Sequence, residues 1–226
     1  MPFRRTSAQT ILLALILLVS AGSSAQNQNS FSIVVPTIPT VTFTLDFPIS
    51  VPEHYSLRVT RDGKANYESM GKLTPEADGD PFSYDFTMSD ANRARIFELA
   101  AQAKFFEGNV DYKKGHLANT GKKVLAYQDG QVQHEAAYNY STNSAIQQLT
   151  KIFQNISATL EFARRLQYFH HYQRLALENE LKRMEEMAKS TSLDEIHAVA
   201  PVLQEIADDK ATLNVTRSRA VRLLAK

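Results

Sequence analysis

From residue 141 to residue 200 the chain contains neither glycine nor proline. Those two residues are the usual interrupters of helices, so a stretch this long without either is largely helical, and any fold has to accommodate it. At 1.5 Å per residue, one rod over residues 146–188 would exceed ~60 Å, longer than a compact domain. A break or a protruding arm is therefore expected. The poor helix formers at Asn155, Ser157 and Thr159 place the bend within residues 155–159. Ala163, Leu166, His170, Leu177, Leu181, Met184 and Ala188 fall on one apolar face, while Arg164, His171 and Glu178 share another.

The two ends of the chain differ from this middle. Residues 1–25 begin with Arg4 and Arg5, continue through an unbroken apolar run at 11–19, and end in small residues up to Ala25. That order is a secretory signal peptide with cleavage after Ala25, and the apolar run is too short for the ~20 residues that span a bilayer. Residues 26–40 read as a flexible, proline-containing lead-in. The chain has no cysteine, so no disulfide or reactive thiol is available, and a buried core must carry stability. This fits a bacterial envelope. Loss of Arg4 and Arg5 leaves 23 basic against 24 acidic side chains, with no global field for nucleic acid or anionic lipid.

The region from 41 to 141 is rich in strand signals. Val41, Phe43, Leu45 and Phe47 alternate with Thr42, Thr44 and Asp46, which predicts a half-buried strand. Pro36, Pro39, Pro48 and Pro52 bracket it and suggest a segment that lies at a sheet edge or leads into one. Asp62-Gly63 marks a hairpin. A three-residue loop with Gly63 left-handed sets Val59 opposite Ala65 and Leu57 opposite Tyr67, giving one apolar face. Asp129-Gly130 marks a second hairpin, where a two-residue turn pairs Tyr127 with Val132 and Leu125 with His134. Between them lie a strand at 83–88 and a helix capped by Ser89, with Ile96, Leu99, Ala100 and Ala103 inward and Arg95, Glu98 and Gln102 outward. Phe105 and Phe106 close the helix as core plugs, and a polar loop runs from 108 to 121.

After the long helix, Ser192 with Glu195 reads as a capping box opening a helix kinked at Pro201. A last helix at 212–225 carries Arg217, Arg219 and Arg222, which read as a solvated face, as do Glu185 and Glu186.

The Asp62-Gly63 hairpin with Tyr55, Leu57, Val59 and Tyr67, the Ser89 helix, the Phe105-Phe106 pair, Tyr112 and the Asp129-Gly130 hairpin occur in an order that resembles a family of small bacterial exported domains of unknown function. The resemblance covers residues 55–156 and lends no catalytic residues. Relatives often carry paired cysteines where this chain has Pro52-Glu53-His54. The C-terminal segment resembles a single helical-repeat unit, which needs the long helix or a partner to pack on.

Two adjacent histidines on a helix point ~100° apart, so a metal role for His170 and His171 would need His116, His134 or His197 brought in by the fold. The chain has no G-x-S-x-G elbow, no H-E-x-x-H and no glycine-rich phosphate loop. Asp111, Tyr112 and His116 in the polar loop are the ligand-site candidates. The expectation is thus an α+β fold: an antiparallel sheet of two hairpins with one packed helix, then a long helix and a C-terminal helical arm. Its divisions are a leader (1–25), the lead-in (26–40), an α+β domain (41–157) and the arm (158–226). Functionally it reads as an exported, non-enzymatic interaction or scaffold module. It has no catalytic, metal or cofactor residues, no nucleic-acid partner and no membrane segment once the leader is removed. The arm's uncovered apolar stripe would dock to itself or to another envelope protein. The alternative is a small-ligand binder or hydrolase using the loop at 111–121.

Overall fold

The structure, a computed structural model, describes residues 38–73, 79–114, 117–130 and 132–226. The expected leader, its cleavage site after Ala25, most of the lead-in and His116 lie outside these residues. Six strands form one antiparallel sheet: β1 (Thr40–Asp46), β2 (His54–Thr60), β3 (Lys64–Gly71), β4 (Asp80–Thr87), β5 (Lys122–Asp129) and β6 (Val132–Tyr138), in the order β4-β3-β2-β1-β5-β6. Helices α1 (Asp90–Gln102), α2 (Ser144–Tyr172), α3 (Arg174–Lys189), α4 (Ala200–Asp208) and α5 (Asn214–Leu224) complete the α+β fold. No helix among the described residues is long and apolar enough to cross a membrane.

The first hairpin has the bulged register that its apolar pairing demands, with Leu57 opposite Tyr67, Val59 opposite Ala65 and Gly63 at φ +95°. Two other strand expectations are corrected. β1 is not at an edge: it is hydrogen-bonded to β2 on one side and to β5 on the other. Pro39 and Pro48 lie just outside Thr40–Asp46, so no ladder N–H is lost. In the second hairpin Leu125 faces Ala136 and Tyr127 faces His134, two residues along from the expected pairing. A slip of two keeps every side chain on its own face, so alternation could not choose between the registers.

One sheet face is buried under α1 and α2. Phe43 stacks on Phe153 of α2 with ring centroids 5.2 Å apart, and Ile146, Leu149, Ile156 and Leu160 are fully buried beside it. Beyond α1, Phe105 packs against Tyr127 and Phe106 is buried, as plugs should be.

α2 does not bend at 155–159. Its poor helix formers serve tertiary contacts: Asn155 Nδ2 donates to Asp194 Oδ2 (3.0 Å), the Thr159 hydroxyl to the Asp194 carbonyl (2.7 Å), and Ser157 pairs with the Tyr67 hydroxyl (2.9 Å). The break comes at Gln173 (φ −141°, ψ 61°), after which α3 turns back along α2. Arg165 reaches Glu180, Phe162 meets Arg183 and Asn155 meets Thr191, a constant antiparallel register. The apolar stripe that the sequence left uncovered is therefore enclosed by the chain itself, with Leu166, Leu177, Leu181 and Met184 at 0% exposure.

The C-terminal region brings further corrections. Ser192 opens no helix; a 3-10 turn spans Ile196–Val199 and Pro201 sits in the first turn of α4. Glu195 instead accepts from the backbone N–H (2.9 Å) and hydroxyl (2.5 Å) of Ser89 and from Asn92 Nδ2 (2.6 Å), reinforcing the expected cap of α1. The α5 arginines are not a free face either: Arg219 pairs with Glu178 and Glu185, and Arg222 with Glu185, fastening α5 to α3. These two arginines pull the Glu185 carboxyl down to about 2, against the desolvation that opposes them.

A candidate ligand cleft between the sheet and the helical hairpin

The turn after β1, the middle of α2 and the return of α3 enclose a cleft of about 320 Å³. Leu45, Val51 and Pro52 make one apolar wall, Phe162 and Met187 another, and Arg165 and Arg183 project from the two helices. Both guanidiniums lie over the Phe162 ring, 4.8 and 5.0 Å from its centroid. Glu180 Oε1 takes Nε of Arg165 at 2.5 Å and lies 3.5 Å from Arg183, leaving further N–H groups on each fork.

Behind the cleft sits a buried polar network. Glu161 Oε1 accepts from the Tyr67 hydroxyl (3.0 Å) and from Ser69 Oγ (2.6 Å). Its Oε2 lies 3.9 Å from Arg164 and 4.0 Å from Arg165. Arg164 in turn donates to the Gly71 (3.0 Å) and Asp80 (2.8 Å) carbonyls. Burial pushes both the Tyr55 and Tyr67 phenols well above their ordinary range, and the charge of Glu161 adds to the shift at Tyr67. The Tyr55 hydroxyl is buried without a hydrogen-bond partner among the described residues.

None of these residues was singled out from the sequence as part of a site, although a signal existed. Ser157, Glu161 and Arg164 follow Phe153 at helical spacing, so polar side chains fall on what should be the buried stripe. Arg183 could not be placed there without knowing that the chain reverses at Gln173.

The expected loop candidates lie elsewhere. Asp111 Oδ1 accepts the Asn139 N–H (3.0 Å), and the Tyr112 N–H donates to the Tyr140 carbonyl (2.8 Å). Both residues stitch the loop to the end of β6, and Asp111 borders a shallow depression with Asp46, Lys113 and Lys122. Lys123, unremarked in the sequence, locks the loop: its ammonium donates to Thr120 Oγ1 (2.8 Å) and to the Thr120 (3.0 Å) and Asn139 (2.9 Å) carbonyls. Burial lowers its pKa.

Of the histidines expected to complete a metal set, His116 lies outside the described residues, and His134 and His197 are not grouped with His170. His134 faces Tyr127, and His197 lies 3.3 Å from Glu195. At the end of α2, His170 Nε2 is 2.9 Å from Asp209 Oδ2 and its Nδ1 is 3.5 Å from Glu205 Oε1, which is also 3.8 Å from His171 Nε2. In comparisons with known proteins, no family model and no curated protein matches this chain.

Proposed function

We propose that this chain is an exported, non-enzymatic binding module whose ligand is a small carboxylate or similar anion with an apolar body, held in the cleft between the sheet and the helical hairpin. The carrying observation is the pair of guanidiniums ordered over one aromatic ring and facing apolar walls. Guanidinium forks match planar anions, and the volume falls within the ~300–1,000 Å³ of small-ligand pockets. The leader-like residues 1–25 support export. A thermal-shift and calorimetric screen of the full chain against short aliphatic and aromatic carboxylates, with their uncharged amides as controls, tests the reading. Carboxylates should stabilise the protein saturably and the amides should not. Arg183→Ala, at a half-exposed position, should weaken binding roughly tenfold or more, since hydrogen bonds to charged groups contribute about 1.5–3 kcal/mol. Equal binding by this variant would remove the proposal.

Exposed apolar surface at the turn between α2 and α3 supports a second reading, docking of the arm to itself or to another exported protein. Tyr172 and Leu175, at the tip of the hairpin, are 75% and 91% exposed. Light scattering should then show a concentration-dependent dimer that Leu175→Asp abolishes. A constant monomer mass would remove self-docking.

A further inference from the structure

We propose that His170, His171 and Glu205 form a site for a divalent transition cation, Zn²⁺ fitting the donor set best. One donor atom from each lies within 4.8 Å of the other two. Two separations, 3.5 Å from His170 Nδ1 and 3.8 Å from His171 Nε2 to the shared Glu205 oxygen, approach the edge of a tetrahedron. With bonds of about 2.0–2.1 Å to nitrogen and oxygen, that edge is roughly 3.3–3.5 Å. The third separation, between the two imidazoles, lies within 4.8 Å, so the rings turn toward Glu205 to close the set.

Adjacent helical residues converge here because they use different reaches of the same ring. His170 offers its near nitrogen and His171 its far one, and Glu205 on α4 comes from across the corner. The outer shell is also built. A carboxylate only accepts, so the 2.9 Å contact of Asp209 with His170 Nε2 places a ring proton there, and in the neutral imidazole Nδ1 then carries the lone pair toward Glu205. Asp209 is itself held by the Ala211 N–H (2.9 Å) and the Thr212 hydroxyl (2.9 Å), with Arg174 3.6 Å away sharing its charge. This is the carboxylate–histidine arrangement that orients metal ligands. His170 is buried, whereas the His171 and Glu205 side chains are 58% and 51% exposed. The fourth position thus opens to solvent, for water or an incoming donor. Two imidazoles and one carboxylate suit Zn²⁺ better than Ca²⁺ or Mg²⁺, which prefer all-oxygen shells. Bound metal would fasten the α2–α3 corner to α4. The inference is independent of the ligand cleft, and Arg183→Ala should leave it untouched.

Calorimetric titration of the full chain with ZnCl₂ tests it. The expected result is one tight Zn²⁺ per chain, with affinity reduced at least tenfold in His171→Ala and in Glu205→Gln, both at exposed positions. His54→Ala, in β2 and paired with Asp46, should bind as the parent does. Asp209→Asn, a positioning change, should lose roughly 10–100-fold. Co²⁺ added to the unaltered chain should give the intense visible bands of tetrahedral coordination, a readout that depends on no variant's folding. Absence of those bands, no stoichiometric Zn²⁺ uptake, or undiminished binding by both His171→Ala and Glu205→Gln would overturn the site.

Discussion

Replacing Glu161 with alanine should destabilise the protein by roughly 3–5 kcal/mol, the loss typical when one partner of a buried ion pair is removed. Glu161 and Arg164 are 4% and 6% exposed, so neither charge is relieved by water. Without the carboxylate, Arg164 keeps the Gly71 and Asp80 carbonyls and the Phe82 ring but no counter-charge from Glu161, and the Ser69 hydroxyl loses its acceptor. The Tyr67 hydroxyl retains Ser157. In a chain of this length such a loss lowers Tm by on the order of 10 °C. Glu161→Gln separates charge from hydrogen bonding. It keeps an acceptor for Tyr67 and Ser69 while leaving the guanidiniums unbalanced, so its loss should fall between the parent and the alanine variant. Chemical denaturation of the three proteins reads both effects. A loss under about 1 kcal/mol for Glu161→Ala would mean that water reaches the network and that its ion pairs contribute no more than surface pairs do.

The same network marks the limit of what the sequence discloses. The first hairpin's register was legible because shifting it would have set Leu57 and Val59 against polar residues. The second was not, since pairings two residues apart bury the same set of side chains. β1 was assigned to an edge from prolines that flank the strand and leave its ladder intact. The bend was assigned to Asn155, Ser157 and Thr159 because propensity describes an isolated helix, whereas here those side chains bond to Asp194 and Tyr67. The true reversal at Gln173 carries neither glycine nor proline. Every cross-helix convergence depends on that reversal: Arg165 with Arg183 over Phe162, and Glu185 with the α5 arginines. Glu205 and Asp209 likewise meet His170 only through tertiary packing, at sequence separations no local pattern encodes.

Phe153→Ala should cost roughly 3–5 kcal/mol, the range for emptying a fully buried aromatic site. The ring is 0% exposed and stacks on Phe43 with planes 2° apart, so truncation opens a void at the joint between α2 and the central strand. The more informative result is the shape of the transition. Buried apolar residues form one cluster from Val41 in β1 to Leu223 in α5, and α2 passes unbroken from beneath the sheet into the hairpin with α3. Strain at Phe153 should therefore be felt by the arm and the sheet together. Far-ultraviolet circular dichroism, dominated by the helices, and tyrosine fluorescence, weighted toward Tyr55, Tyr67, Tyr127 and Tyr138 of the sheet, should shift to the same lower midpoint and keep coincident curves. If residues 158–226 instead held a core of their own, the fluorescence transition would move down while a helical transition stayed at the parent midpoint. Two separated steps would show that the division between domain and arm outweighs the continuity of α2.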